Sequence, residues 1–217
     1  MSTEQLSLEA RDCPPYWREG CAYLSRVDET LRALIERVGG ADEPTLRSRG
    51  DLFYTLAHAI VGQQISATAA AAIWGRLCAL LGAVTGPRLL SVDPAQLKET
   101  GLSTRKVEYL RGSAAALPEL EALPWGEMRD EEVSRALCAL RGVGPWTAEM
   151  VLIFALNRPD ILPLGDIGVI RAVEKLYAEG ARLSKAEVEE IAAPWRPYRS
   201  VAVWYLWRTI DAEPVEY

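Results

Sequence analysis

The chain has 217 residues, 49% of them apolar and 25% charged, with a net charge of −6. That is an ordinary globular balance with enough length for a substantial core, and no apolar run reaches the roughly 18 residues needed to span a bilayer. The acidic balance speaks against a broad cationic face for nucleic acid, because phosphate binding ordinarily rests on Lys and Arg.

The pattern along the chain is helix after helix. Residues 1–50 are expected to supply an extra helix or two packed on the core. Within them Leu31, Leu34, Ile35 and Val38 keep helical spacing and stop at Gly39-Gly40. Phe53, Leu56, Ala59 and Ile60 form a second apolar stripe, and Ser66 is placed to cap an alanine-rich helix running to about Gly82. Asp93-Pro94 opens a short helix ending near Gly101, and Thr104 to Ala116 forms another, closed by Pro118. A helix over about 130–140 leads to Gly142-Val143-Gly144, after which Pro145 suits a first helical position. Pro159 to Gly165 reads as an extended connection. Helices follow at about 167–178, 184–192 and 198–211, the middle one opened by Ser184 with Glu187 at capping-box spacing. No alternating strand pattern appears, so the expected class is all-α.

Cofactor chemistry is poorly supplied. The four cysteines (Cys13, Cys21, Cys78, Cys138) are scattered and form no C-x-x-C pair, and the one histidine, His58, sits in an apolar helical stretch. No metal site is expected. The opening Met1-Ser2-Thr3-Glu4-Gln5 lacks the layout of a secretion signal, so the expected location is cytoplasmic, or nucleoid-associated if bacterial.

The informative string is Leu140-Arg141-Gly142-Val143-Gly144-Pro145-Trp146-Thr147-Ala148, followed by Asp166. Two glycines around one apolar residue between helices make a tight hairpin. Gly142 suits a left-handed helix end, and Gly144 opens the next helix without a side chain in front of its amides. Amides at a helix start, with the helix dipole behind them, attract anions. On these residues alone a plain helical turn stays open, as does N-capping for Asp166.

The longer string resembles the hairpin of the helix-hairpin-helix-GPD superfamily of DNA glycosylases, roughly L-P-G-V-G-x-x-T-A, with Arg141 in place of the usual proline. In that superfamily a catalytic aspartate follows, and Asp166-Ile167-Gly168-Val169-Ile170-Arg171 fits its context. The resemblance covers about residues 51–211. It implies a two-lobed helix-hairpin-helix fold with the active site in the interlobe cleft and residues 51–217 as a single compact core. Members that also cut the backbone carry a lysine where this chain has Trp146, so lyase activity is not expected. No cysteine follows Cys138, so the iron–sulfur cluster of other branches is not expected either; a monovalent cation at the hairpin is the one possible ion.

What remains is similar to the alkylation-repair branch, the 3-methyladenine DNA glycosylase II type. Ile60-Val61-Gly62-Gln63-Gln64-Ile65-Ser66 resembles its loop that fills the gap left by an extruded nucleotide. Gly101-Leu102-Ser103-Thr104-Arg105-Lys106 matches a family segment, and Pro197-Tyr198-Arg199-Ser200 with Trp204 and Trp207 resembles its C-terminal helix. The resemblance implies Asp166 as the catalytic group and a base pocket of Trp146, Trp207 and Met150. It implies Gln63, Gln64 and Ile65 as the DNA-gap wedge, and Gly142, Val143, Gly144 and Thr147 as the backbone-binding hairpin. The expected partner is double-stranded DNA with alkylated bases, bound by a monomer. Two other readings stay open: a relative acting on oxidised, deaminated or mispaired bases, and a non-catalytic helix-hairpin-helix DNA-binding module. Arg105, Lys106 and Arg111 are candidates for phosphate contact or for an ordinary solvated face.

Overall fold

The computed structural model describes residues 14–40, 46 and 50–210. Thirteen α-helices and no strand occur among them, and the chain divides into two compact units. One unit runs from residue 50 to 158. The other joins the residues up to 49 with those from 159 onward.

The first of these holds α3 (Leu52–Gly62), α4 (Ala67–Leu81), α5 (Gly86–Ser91), α6 (Pro94–Glu99), α7 (Thr104–Ala115), α8 (Leu117–Glu121), α9 (Asp130–Cys138) and α10 (Pro145–Phe154). Helix α3 is its centre and packs on α4, α7 and α10. Phe53, Leu56, Ala57, Ala59, Ile60 and Val61 are all buried, because a helix apolar on every side must be covered on every side. Local chemistry sets the helix starts. Asp51, Ser66, Thr85, Asp93 and Ser103 each accept a hydrogen bond from an amide of the first turn. Pro118 does not simply close α7. It enters the first turn of the short α8, where its missing N–H costs nothing. His58 of α3 packs edge-on against Trp74 of α4, ring centroids 4.5 Å apart.

The second unit holds α1 (Trp17–Val27), α2 (Glu29–Val38), α11 (Ile167–Tyr177), α12 (Lys185–Ala192), a single 3₁₀ turn (Ala193–Trp195) and α13 (Arg199–Trp207). Every residue of α13 from Ser200 to Trp207 is buried. Trp17 of α1 closes against Trp204 edge-on at 5.3 Å and stacks on Tyr205 at 5.7 Å. Burying side chains of this size contributes roughly 1.5–3 kcal/mol each. Asp28 ties the unit together: Oδ1 caps α2 through the Leu31 amide, and Oδ2 accepts from Tyr177 Oη and Trp195 Nε1.

The expected layout, residues 1–50 appended to a single compact core of 51–217, is therefore corrected. Helices α1 and α2 build one unit with the C-terminal helices, because α13 is apolar all round and needs their stripes (Trp17, Cys21, Leu24; Leu31, Leu34, Ile35) to cover it. Three cysteines, Cys21, Cys78 and Cys138, carry free thiols; Cys13 lies outside the described residues. No helix among the described residues is long and apolar enough to cross a membrane.

Candidate functional site

Asp166 is the residue around which the second unit's chemistry assembles. The 159–165 connection is fastened to α13: the Ser200 amide donates to Pro159 O at 2.9 Å, and the Ile161 amide to Ser200 Oγ at 3.0 Å. The chain then turns, with the Asp166 amide on Pro163 O, and enters α11. Asp166 is the N-cap, its Oδ1 accepting from the Val169 amide at 2.9 Å. The same oxygen accepts from Trp207 Nε1 at 3.1 Å. A carboxylate at the start of a helix, held by an amide and an indole N–H, is fixed in orientation. Gly168 makes this closeness possible: a Cβ there would lie 3.0 Å from Asp166 Oδ1 and 3.3 Å from Trp207 Cδ1. Ile167, between them, is 65% exposed.

The hairpin belongs to the other unit. Helix α9 ends at Ala139, the Val143 amide closes on Leu140 O, and α10 starts from Gly144 with Pro145 at its first position. Gly142 takes φ +86°, and a Cβ on it would fall 2.2–2.5 Å from the Tyr109 ring of α7. That position excludes any side chain twice over, by conformation and by space. Gly144 is different: a Cβ there would meet nothing within 4 Å, which leaves the front of α10 open. Arg141 projects outward and pairs with Glu108 at 3.3 Å. A monovalent cation here would have to be held by main-chain carbonyls, of which Leu140 O already accepts from Val143 and Gly142 O from Gln63. Among the described residues, no group of three or more His, Cys, Asp or Glu is placed to hold a metal.

The loop between α3 and α4 is a tight turn. Gln63 (φ −52°, ψ 128°) and Gln64 (φ +60°) are its central residues, and the Ile65 amide reaches back to Gly62 O at 3.5 Å. These are the angles of a type II turn, whose third position favours glycine. A glutamine in the left-handed region costs on the order of 1–2 kcal/mol, and such strain commonly marks a working position. Gln64 and Ile65 are exposed at the tip.

Two expected roles need correction. Gln63 does not reach outward with Gln64 and Ile65: its Nε2 donates to Gly142 O and Thr147 Oγ1, both at 2.9 Å. The wedge is therefore narrowed to Gln64 and Ile65, because the Gln63 side-chain amide is committed to the hairpin. Thr147, 1% exposed, spends its hydroxyl on that bond and Val143 is likewise buried, which leaves both residues only main-chain groups to offer at the hairpin. Met150 is 1% exposed and belongs to the core, since α10 is covered by both α3 and α9. Trp146 keeps partial exposure, its ring close to Gly62.

The basic candidates separate as well. Lys106 Nζ donates to Val61 O and Gln63 O, and Arg111 Nη1 to Val92 O. Arg76 and Arg88 likewise hold main-chain carbonyls, of Thr100 and Leu81. These cations serve helix ends, while Arg105 stays exposed. No local pattern distinguishes these roles for Lys106 and Arg111, because their acceptors are 19 to 45 residues away.

A helix–hairpin–helix followed by a helix-capping aspartate with an indole on its carboxylate defines a class of DNA-handling fold. Comparison with known proteins agrees: the profile of the HhH-GPD superfamily base excision DNA repair proteins matches residues 57–197. The chain belongs to that superfamily. It is 29% identical over 195 residues to DNA-3-methyladenine glycosylase 1 of Schizosaccharomyces pombe, across 86% of this chain and 85% of that one. Two relatives from Bacillus subtilis are longer, and the chain spans 44% and 57% of them. Among solved structures, the S. pombe 3-methyladenine DNA glycosylase in complex with abasic DNA superposes with a TM-score of 0.78 at 28% identity, covering 88% of this chain and 96% of that one. A DNA-3-methyladenine glycosidase from Bacillus halodurans gives 0.69 at 32% identity, covering 92% and 90%.

Proposed function

We propose that this protein is a monofunctional DNA glycosylase that removes alkylated bases of the 3-methyladenine and 7-methylguanine type, opening base-excision repair. The observation that carries the reading is the Asp166 carboxylate, capped into α11 and gripped by the Trp207 indole. A DNA-binding module has no use for an oriented carboxylate, whereas cleavage of an N-glycosidic bond does.

The chemistry follows from the substrate. A purine alkylated on a ring nitrogen carries positive charge and is already a good leaving group. When the C1′–N bond breaks, the electron pair goes to the base and C1′ takes on oxocarbenium character. Asp166 stabilises that charge, as carboxylates do in glycoside hydrolysis; water then adds to C1′ and its proton passes to the carboxylate or solvent. Trp146 and Trp207 are each suited to stack on a flipped base, worth about 1–3 kcal/mol per aromatic face and about 0.5–2 kcal/mol more toward a cationic ring. Trp146 has no nucleophilic nitrogen, so no Schiff base forms and the backbone stays intact. Flipping costs a few kcal/mol, which Gln64 and Ile65 offset by filling the gap. The Gly142–Gly144 hairpin and the first turn of α10 hold the DNA backbone through main-chain amides, which suits a chain of net charge −6.

The protein acts as a monomer on double-stranded DNA, with no resident cofactor and no iron–sulfur cluster, wherever the cell keeps its DNA, the cytoplasm and nucleoid in a bacterium. The test is base release from duplexes carrying single defined lesions, with Asp166→Asn as the comparison. Asparagine caps helices as well as aspartate, so the fold persists. Excision should fall by at least about 10²–10³-fold, the scale for losing one preorganised electrostatic group. A mutant as fast as wild type reduces Asp166 to a cap and ends this mechanism.

A further inference from the structure

Lys106 stands in the first turn of α7, yet its Nζ is turned away from solvent onto Val61 O at 2.7 Å and Gln63 O at 2.8 Å. Those carbonyls lie at the C-terminal end of α3, which carries partial negative charge and unsatisfied acceptors. Burial lowers the lysine's pKa, so keeping the charge there has a desolvation cost that two charge-assisted hydrogen bonds offset. A lysine serving phosphate would instead leave its ammonium in water, as the neighbouring Arg105 leaves its side chain exposed.

What Lys106 grips is the base of the strained turn. Gln63 O is one of its two acceptors, and the Gln63 side chain holds the hairpin through Gly142 O and Thr147 Oγ1. The next residue is Gln64, at φ +60°. Helix α7 also presses the Tyr109 ring onto Gly142. One helix thus braces both the exposed turn and the hairpin, with Gln63 as the strut between them.

We propose that Lys106 is a positioning residue for base extrusion. It fixes the Gln64–Ile65 turn relative to the hairpin, so that gap filling is in register with the grip on the DNA backbone. The inference rests on the glycosylase reading above, and it separates extrusion from the chemistry at Asp166. Removing the ammonium impairs excision of a base that must be drawn from a stable pair and spares a base with no partner to leave.

The test is single-turnover release of 7-methylguanine by the full chain from two duplexes. One places the lesion opposite cytosine, the other opposite a tetrahydrofuran abasic analogue. Lys106→Met should slow release from the cytosine pair by about ten-fold or more, the factor given by about 1.4 kcal/mol in the barrier. Release opposite the analogue should stay within about two-fold, and Lys106→Arg, which keeps the donors, should restore part of the loss. Equal slowing on both duplexes, or slowing on neither, overturns the proposal. Should Lys106→Met fail to fold, Gln63→Met removes the strut and must show the same split between substrates. If wild type releases base from neither duplex, the glycosylase reading falls and the proposal with it; wild-type release with no split for the variants sinks the proposal alone.

Discussion

Replacing Gly142 by alanine tests whether the hairpin is held as described. The residue sits at φ +86°, and an added Cβ would overlap the Tyr109 ring at 2.2–2.5 Å. The left-handed conformation costs a non-glycine residue about 1–2 kcal/mol. Forcing the ring aside adds about 1–3 kcal/mol of overpacking. The sum, about 2–5 kcal/mol, lowers the Tm by about 4–20 °C at the 2–4 °C per kcal/mol typical of a chain this size. The two parts can be separated by calorimetry on a double-mutant cycle with Tyr109→Ala. In the double variant the overpacking share returns while the conformational share remains, so the two substitutions should couple by about 1–3 kcal/mol. A Gly142→Ala protein melting within about 2 °C of wild type would refute the hairpin geometry. Zero coupling would show that Tyr109 is not what excludes the side chain.

Other substitutions probe the site and its support. Gly168→Ala puts a methyl between Asp166 Oδ1 and Trp207, at 3.0 and 3.3 Å. Alanine is favoured over glycine inside a helix by about 1 kcal/mol, so thermal stability should hold while excision drops by about ten-fold, a barrier change of about 1.4 kcal/mol; full activity would show that the indole contact is dispensable. Tyr177 is pushed far above its ordinary pKa by burial, then by the charge of Asp28 and the hydrogen bond to it. Above roughly pH 10 the unfolded chain releases this proton and the folded chain does not. That contribution is therefore complete below pH 10 and falls by about 1.4 kcal/mol per unit above it. Tyr177→Phe should flatten the alkaline limb of urea midpoints, and parallel curves would contradict the assignment. The exposed Arg141–Glu108 pair, with side chains 79% and 46% accessible, is worth under about 1 kcal/mol, so a phosphate can take Glu108's place. Arg141→Ala should reduce the slope of log K against log salt by about 0.9, and Glu108→Gln should tighten binding; an unchanged slope removes Arg141 from the DNA interface.

Features that depend on neighbours within a few residues are legible in the amino-acid order. Ser66, Ser103 and Ser184 cap their helices, Gly39 ends α2 in a left-handed turn, and the Gly142–Gly144 hairpin and the Asp166 cap lie where the spacing puts them. Each is set by a hydrogen bond or a backbone angle that one short stretch supplies. The short α5 is set locally too, by Thr85 ahead of Pro87. Tertiary structure alone decided which way the long side chains turn and which helices share a core. Lys106 and Gln63 look like ordinary polar residues until distant carbonyls, 43 to 79 residues away, claim them. Met150 shares the helical spacing of Trp146 but is enclosed by α3 and α9. Helices α1 and α2 join α13 more than 150 residues later, because only their stripes complete its burial. Burial and long-range hydrogen bonding belong to the folded surface as a whole, and no local pattern records them.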